Sequence, residues 1–427
     1  MEQQAERNAK KASDWDTPTK LLADLEKWRL EYGEIQECKL SDDGEKVAAI
    51  VKNEDDSFTV CVNGTAWSNR FEKIWSLEFA PDGRLCCIAM NNDEWTVVQD
   101  DEPWDESFDY VWNLRFSKEG ASIAANTRTP EGYGLVLNGN AWEKKFVQMR
   151  SCEISPDGLH TAGNVQIEAL TEGDIFTFKQ GVWSLAVDGK QWERSFLNVW
   201  NCAFSDDGSK VAAEVRIDPG HQTIAVDGVS WERAFRAVWE PLFVPMSHDV
   251  VAPCLTPEGW KLLINGKPIW TKSFAQVWHQ KFSPDGKRLA AVVAPNFGRW
   301  TIAVDGNPWR STFGEAVLAP VFSSDSRRTA SAVKDNGRWT IVVDGVPWTE
   351  TFDMIWNPVF SPDGEYVAVK AERKEEMFLV VNGKLVTKGF QDMCEPVFSP
   401  DGSKIMIKSL ELGRFYRKLL PVKQLLP

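Results

Sequence analysis

The sequence is short of most features by which enzymes and membrane proteins are recognised. No uncharged apolar run reaches the roughly 18 residues that a membrane-crossing helix needs. The start, MEQQAERNAKKASDWD, has no apolar stretch of the kind a secretory signal carries. Both absences lead to the expectation of a cytoplasmic protein with no membrane span of its own. The eight cysteines include no CxxC spacing, so zinc, thioredoxin-like, haem-attachment and iron–sulfur sites are not signalled. GxxxxGK[ST], GxGxxG after a strand, HExxH and GxSxG are all missing, and with them the signs of nucleotide and hydrolase chemistry. The four histidines, His160, His221, His248 and His279, fall in different parts of the chain and none is paired at metal-ligand spacing. Positive charge is also scarce: 48 Lys plus Arg against 62 Asp plus Glu leave a net charge of -14. Such a field repels phosphate backbones, so nucleic acid is not an expected partner. No catalytic, cofactor-binding or metal-binding residue is therefore expected, and the chain is expected not to be an enzyme.

What the chain has in excess is tryptophan, 21 residues in 427. Self-comparison shows a period of about 38 to 40 residues, the length of one four-stranded propeller blade. The unit is W-x3-F-x3-W-x3-F-S-P-D-G, followed by a strand such as KVAAIV and a strand such as WTIAVDG. Its first position holds Trp28, Trp67, Trp104, Trp142, Trp192, Trp231, Trp270, Trp309 and Trp348, then Val386. The second is aromatic in all ten copies, from Tyr32 and Phe71 to Phe352 and Phe390. The third is Trp at 75, 112, 200, 239, 278 and 356, and Gln36, Arg150, Val317 and Cys394 elsewhere. Five more Trp open the WTIAVDG strand, at 95, 183, 260, 300 and 339, leaving only Trp15 outside the repeat. A residue type recurring at one position of every repeat packs repeat against repeat. The tryptophans are thus expected to be mostly core, with a few exposed as partner anchors.

Asn-Gly and Asp-Gly pairs such as Asn63-Gly64, Asp188-Gly189 and Asp305-Gly306 supply the positive φ of tight hairpins. Asn63-Gly64-Thr65 is read as a turn rather than a glycosylation site. The Asp of each Ser-Pro-Asp-Gly turn bonds locally, so these acids are structural. Ser247-His248-Asp249 stands where a degenerate turn belongs. The cysteines, among them Cys38, Cys152 and Cys202 two residues before the apolar residue that closes a strand, are expected to be buried reduced thiols.

The fold expected is all-β: a closed β-propeller of about ten four-stranded WD40-like blades, with two five-bladed rings as the alternative. The last copy runs out after two strands, and the segment Trp28-x3-Tyr32-x3-Gln36-x3-Leu40 is expected to complete it as an N-terminal strand latch. Residues 1–27 would be an extension, with a short helix in TKLLADLEKW after Asp16-Thr17-Pro18; 28–420 would be the propeller and 421–427 a locally packed tail. An insertion is expected near Val165 to Gly181, where successive copies stand 50 residues apart.

The FSPDG turn with its VAA strand resembles the WD40 and TolB-like propeller repeats, over nearly the whole chain. In size, acidity, Trp content and lack of cofactor motifs the chain also resembles the tryptophan-rich cytoplasmic subunit of the Tmc transmembrane redox complex of sulfate-reducing bacteria. That resemblance implies a non-catalytic scaffold without cofactors, peripheral to the inner membrane. The partners it implies are a membrane b-type cytochrome, a cytoplasmic iron–sulfur subunit and a periplasmic multihaem cytochrome c, in a complex that carries electrons from periplasmic hydrogen oxidation. A glycan- or peptide-binding propeller and a propeller hydrolase or lyase are the other classes; the first needs exposed Trp in equivalent pockets, the second convergent acids or His in the central channel.

Overall fold

A computed structural model describes residues 14–425. The first 13 residues of the expected extension and the last two of the tail lie outside the described residues. The chain forms ten antiparallel sheets, nine of which take their strands in unbroken chain order, for example 34–40, 47–52, 58–62 and 65–66. The second strand of a blade is buried on both faces, and in the first blade it is small and β-branched: Val47, Ala48, Ala49, Ile50 and Val51 are all at most 1% exposed. In the first blade it is continuously apolar rather than alternating because both faces are covered by neighbouring blades. In the first strand, a bulge follows the third repeat position, as between Trp75 and Glu78, with positive φ at Ser76, Asn113 and His279. Pro241, Pro320, Pro358 and Pro396 lack the N–H that would continue this strand, and in those blades it is cut to short pieces.

Ten apolar clusters join the blades, each spanning one neighbouring pair. Ala48 and Ile50 meet Cys87 and Ala89 between the first two blades. Ala212 and Ile224 of the fifth meet Phe243 and Val250 of the sixth. Leu22, Ala23 and Phe415 of the tenth meet Val47, Ala49 and Cys61 of the first. Two five-bladed rings would have needed the fifth blade against the first, so the molecule is a single closed ring of ten blades.

The ring is latched by the N-terminus, but the strand is not the one expected. Thr19–Asp24 pairs antiparallel with Arg414–Pro421, from Thr19↔Lys418 to Asp24↔Arg414, whereas Glu34–Leu40 is the first strand of the first blade. The helix is correspondingly later, Leu25–Glu31, capped by Asp24 Oδ1, which accepts the N–H of Glu26 and Lys27 at 3.2 Å each. In isolation Leu21, Leu22, Leu25 and Trp28 suit a helix. The unpaired edge of Arg414–Pro421 offers a ladder of backbone bonds that outweighs this local preference. A bulge between Leu21 and Ala23 lets both Leu22 and Ala23 turn inward. The last four described residues, Val422–Leu425, form a helical turn whose Val422 is 1% exposed against Met393 and Ile405.

Candidate functional site

The tryptophans are placed by the repeat. First-position rings lie against the hairpin glycine of the next blade: a methyl group added at Gly228, Gly306, Gly345 or Gly383 would meet Trp192, Trp270, Trp309 or Trp348 at 3.1–3.3 Å. The second blade has Asp100-Asp101 in place of that hairpin glycine, and there Asp101 accepts the backbone N–H groups of Ser68 and Asn69 at 2.7 and 3.1 Å. Each second-position Phe is buried and exchanges two backbone hydrogen bonds with the residue opening the third strand, as Phe108 does with Trp95 at 2.8 and 2.9 Å. Thr96, next to Trp95, donates its hydroxyl to Glu106 carbonyl oxygen at 2.9 Å and pins the loop between. Third-position side chains lie over the strand-opening ones: Trp75 on Trp95 at 4.4 Å and Trp239 on Trp260 at 5.4 Å, both stacked. In the fourth blade Arg150 lies 3.8 Å from the centre of Trp183. Trp239, 42% exposed, is the most open of the indoles. In the eighth blade one extra residue near Gly314 moves the register. Leu318, whose N–H donates to Ala332 as that of Trp356 donates to Lys370, holds the third position in place of Val317.

The third-position residue sits opposite the fourth residue of the second strand, or the fifth in the tenth blade, and that site varies around the ring. It is Ile50, Ile88, Asn126, Asn164, Glu214, Pro253, Val292, Ala332, Lys370 and Lys408 in turn. Sequence reasoning passed over this variation; aligning the ten VAAIV strands would have exposed it. In blades three to five the inner wall becomes polar where the first two blades are apolar. Asn126, fully buried, accepts from Asn113 Nδ2 at 2.9 Å, and Asn164 is 4% exposed with its side-chain oxygen unpaired. Glu214, 4% exposed, accepts from Asn201 Nδ2 at 3.2 Å. Burial pushes the Glu214 carboxyl up to about 7, with Glu240 adding repulsion. Glu240 is held in the opposite direction, below the usual carboxylate range, by His279 beside it at 3.7 Å. Gln280 donates Nε2 to the Glu240 carbonyl at 2.6 Å and leaves its own oxygen unpaired. Burial likewise raises the Glu153 carboxyl.

At the closing seam the same layer is cationic. Lys408, 4% exposed, donates to Ser41 carbonyl oxygen at 2.9 Å. Arg417, fully buried, holds Glu45 at 2.7 Å, Asp14 Oδ2 at 3.2 Å and the Thr17 carbonyl at 3.2 Å.

Each histidine has a carboxylate partner that spacing did not reveal: His160 with Asp188 at 2.6 Å, His221 with Asp218 at 2.8 Å, His248 with Asp207 at 2.9 Å, and His279 with Glu240. The turn acids serve their own turns, as Asp285 does by accepting from Ser283 Oγ at 2.6 Å and Lys287 N–H at 3.1 Å, which holds its carboxyl low. Cys86, Cys87, Cys152 and Cys254 are buried thiols whose ionisation burial opposes. Among the described residues no helix is long and apolar enough to cross a membrane, and no group of three His, Cys, Asp or Glu is placed to hold a metal ion.

No protein-family model matches the chain, nor does any curated protein sequence. Among solved structures, a eukaryotic initiation factor aligns at TM-score 0.48 and 13% identity, over 76% of this chain and 89% of that one. The Dos1 propeller aligns at 0.40 and 9%, over 72% and 91%. The tricorn protease aligns at 0.32 and 14%, over 88% and 51%.

Proposed function

We propose that the ring is a non-catalytic protein-interaction scaffold that receives its partner on one face, the end of the blades where second strands turn into third strands. The observation that carries this reading is the position of the exposed phenylalanines. Phe176, Phe178 and Phe297, 84%, 41% and 93% exposed, are all in such loops. Leu412, 89% exposed, is in the same loop of the tenth blade, and Leu30, 91% exposed, is on the latch helix that Leu25 N–H ties to Gly413 beside it. Large apolar side chains held in water on one face mark an interaction surface. The opposite face exposes Leu159, Val229, Met246 and Val346, each singly in or beside a tight turn. Rigid rings that offer many loops suit assembly work.

The finer form of the proposal follows the resemblance in sequence character. The partners would be the cytochrome b and iron–sulfur subunits of a membrane-bound electron-transfer complex, with this chain cytoplasmic and carrying no electrons. Purification of the tagged chain from its own cells under mild detergent tests both levels. A stoichiometric protein partner supports the scaffold, and haem and iron in the partners alone support the finer form. Stoichiometric haem or iron on the isolated chain would overturn that form.

A further inference from the structure

The insertion in the fourth blade carries the partner-binding reading to a particular chemistry. Between Gln166 and Trp183, where other blades turn in a few residues, the chain adds a loop and the helix Ile175–Gln180, which buries none of its residues. Leu170, Ile175, Phe176 and Phe178 are 39%, 61%, 84% and 41% exposed. Together they present an apolar patch on the order of 300 Å², the size of a functional patch rather than of scattered surface residues.

The helix is capped at both ends. Asp174 Oδ1 accepts the Thr177 N–H at 3.0 Å. Gly181, at φ +89°, closes it so near the Phe196 backbone that a methyl group there would fall 2.6 Å from the Phe196 carbonyl carbon. The same segment holds Glu168, Glu172 and Asp174 against the single Lys179, on a chain of net charge -14. An anionic lipid surface would be repelled by that charge, whereas an apolar groove edged with Lys and Arg would be steered onto it.

We infer that this helix is the anchor by which the ring docks into an apolar, basic-rimmed groove of a protein partner, with Phe176 at its centre; the inference rests on the scaffold reading. The test is a photo-crosslinking residue in place of Phe178 in the full-length tagged chain, expressed in its own cells. It is combined with partner retention by Phe176→Glu, by conservative Phe176→Leu, and by a ring whose residues 168–181 are replaced with Asn-Gly. The result expected is crosslinking into an apolar segment flanked by Lys or Arg, retention lowered at least tenfold by Phe176→Glu and by the loop replacement, and retention kept by Phe176→Leu and by Val229→Glu on the other face. Crosslinks to lipid, to a second copy of this chain or to a segment without basic residues would overturn it. So would sedimentation of the chain with phosphatidylcholine–phosphatidylglycerol vesicles that Phe176→Glu abolishes. Full retention by the loop-replaced ring sinks this inference and leaves the scaffold standing; a wild-type chain that retains no partner sinks both.

Discussion

Replacing Glu214 with Gln should stabilise the ring at pH above about 4.5, increasingly up to about 7 and fully beyond it. Glu214 is 4% exposed, and its carboxyl is moved from an ordinary 4.5 to about 7. Below 4.5 the folded and unfolded chains both keep the proton, and nothing is lost. Between 4.5 and 7 the unfolded chain releases it first, so stability falls as pH rises through that window, and the loss is complete above it. Its size is about 3 kcal/mol, which for 427 residues is a shift in Tm of about 3 °C. Gln keeps the shape, still accepts from Asn201 Nδ2, and never ionises. Thermal unfolding followed by circular dichroism should therefore show the two proteins equal near pH 4.5 and Glu214→Gln more stable by about 3 °C at pH 8. A difference that stays flat with pH, or a variant less stable at pH 8, would refute the reasoning.

Gly306→Ala puts a methyl group 3.1 Å from Trp270 at φ +77° and should cost about 2 kcal/mol or more. Gly298→Ala, at the same φ with no neighbour, should cost only the backbone part, and denaturant unfolding separates the two; equal losses would dismiss the tryptophan contact. Arg417→Ala empties a fully buried site and unties Asp14 and Thr17 from the seam, leaving Glu45 to Lys20 alone, with an expected loss of about 3 kcal/mol and easier opening of the latch, read as faster tryptic cleavage at Lys20. Replacing residues 168–181 with Asn-Gly should leave Tm within about 1 °C of the native value, because the insertion helix buries no residue.

The fold was legible because the repeat states it ten times over. A turn glycine and the tryptophan it touches recur together, so position alone identified Trp192 and Trp270 as contacts between blades. The latch was misplaced by one element because it depends on an edge, Arg414–Pro421, that lies some 390 residues away in sequence, and no local pattern in Thr19–Asp24 reports that edge. Leu318 was missed for a smaller reason: counting from Phe313 cannot see the extra residue that strand pairing absorbs. The polar inner wall was readable in part. Asn126, Asn164 and Glu214 stand out once the second strands are aligned, but Asn113, His279 and Gln280 reach it only through the bulges and the curvature of the ring. The carboxylate partners of the histidines lay beyond sequence altogether where they come from separate turns, as His160 with Asp188 and His248 with Asp207 do.

The scaffold account is tested most directly by hydrogen–deuterium exchange of the chain alone and in its isolated complex. It predicts protection in the loops at 129–132, 167–182, 218–221, 256–259, 296–299 and 411–414, with the Ser-Pro-Asp-Gly turns on the opposite face unchanged. Protection confined to those turns, or none on either face, would contradict it.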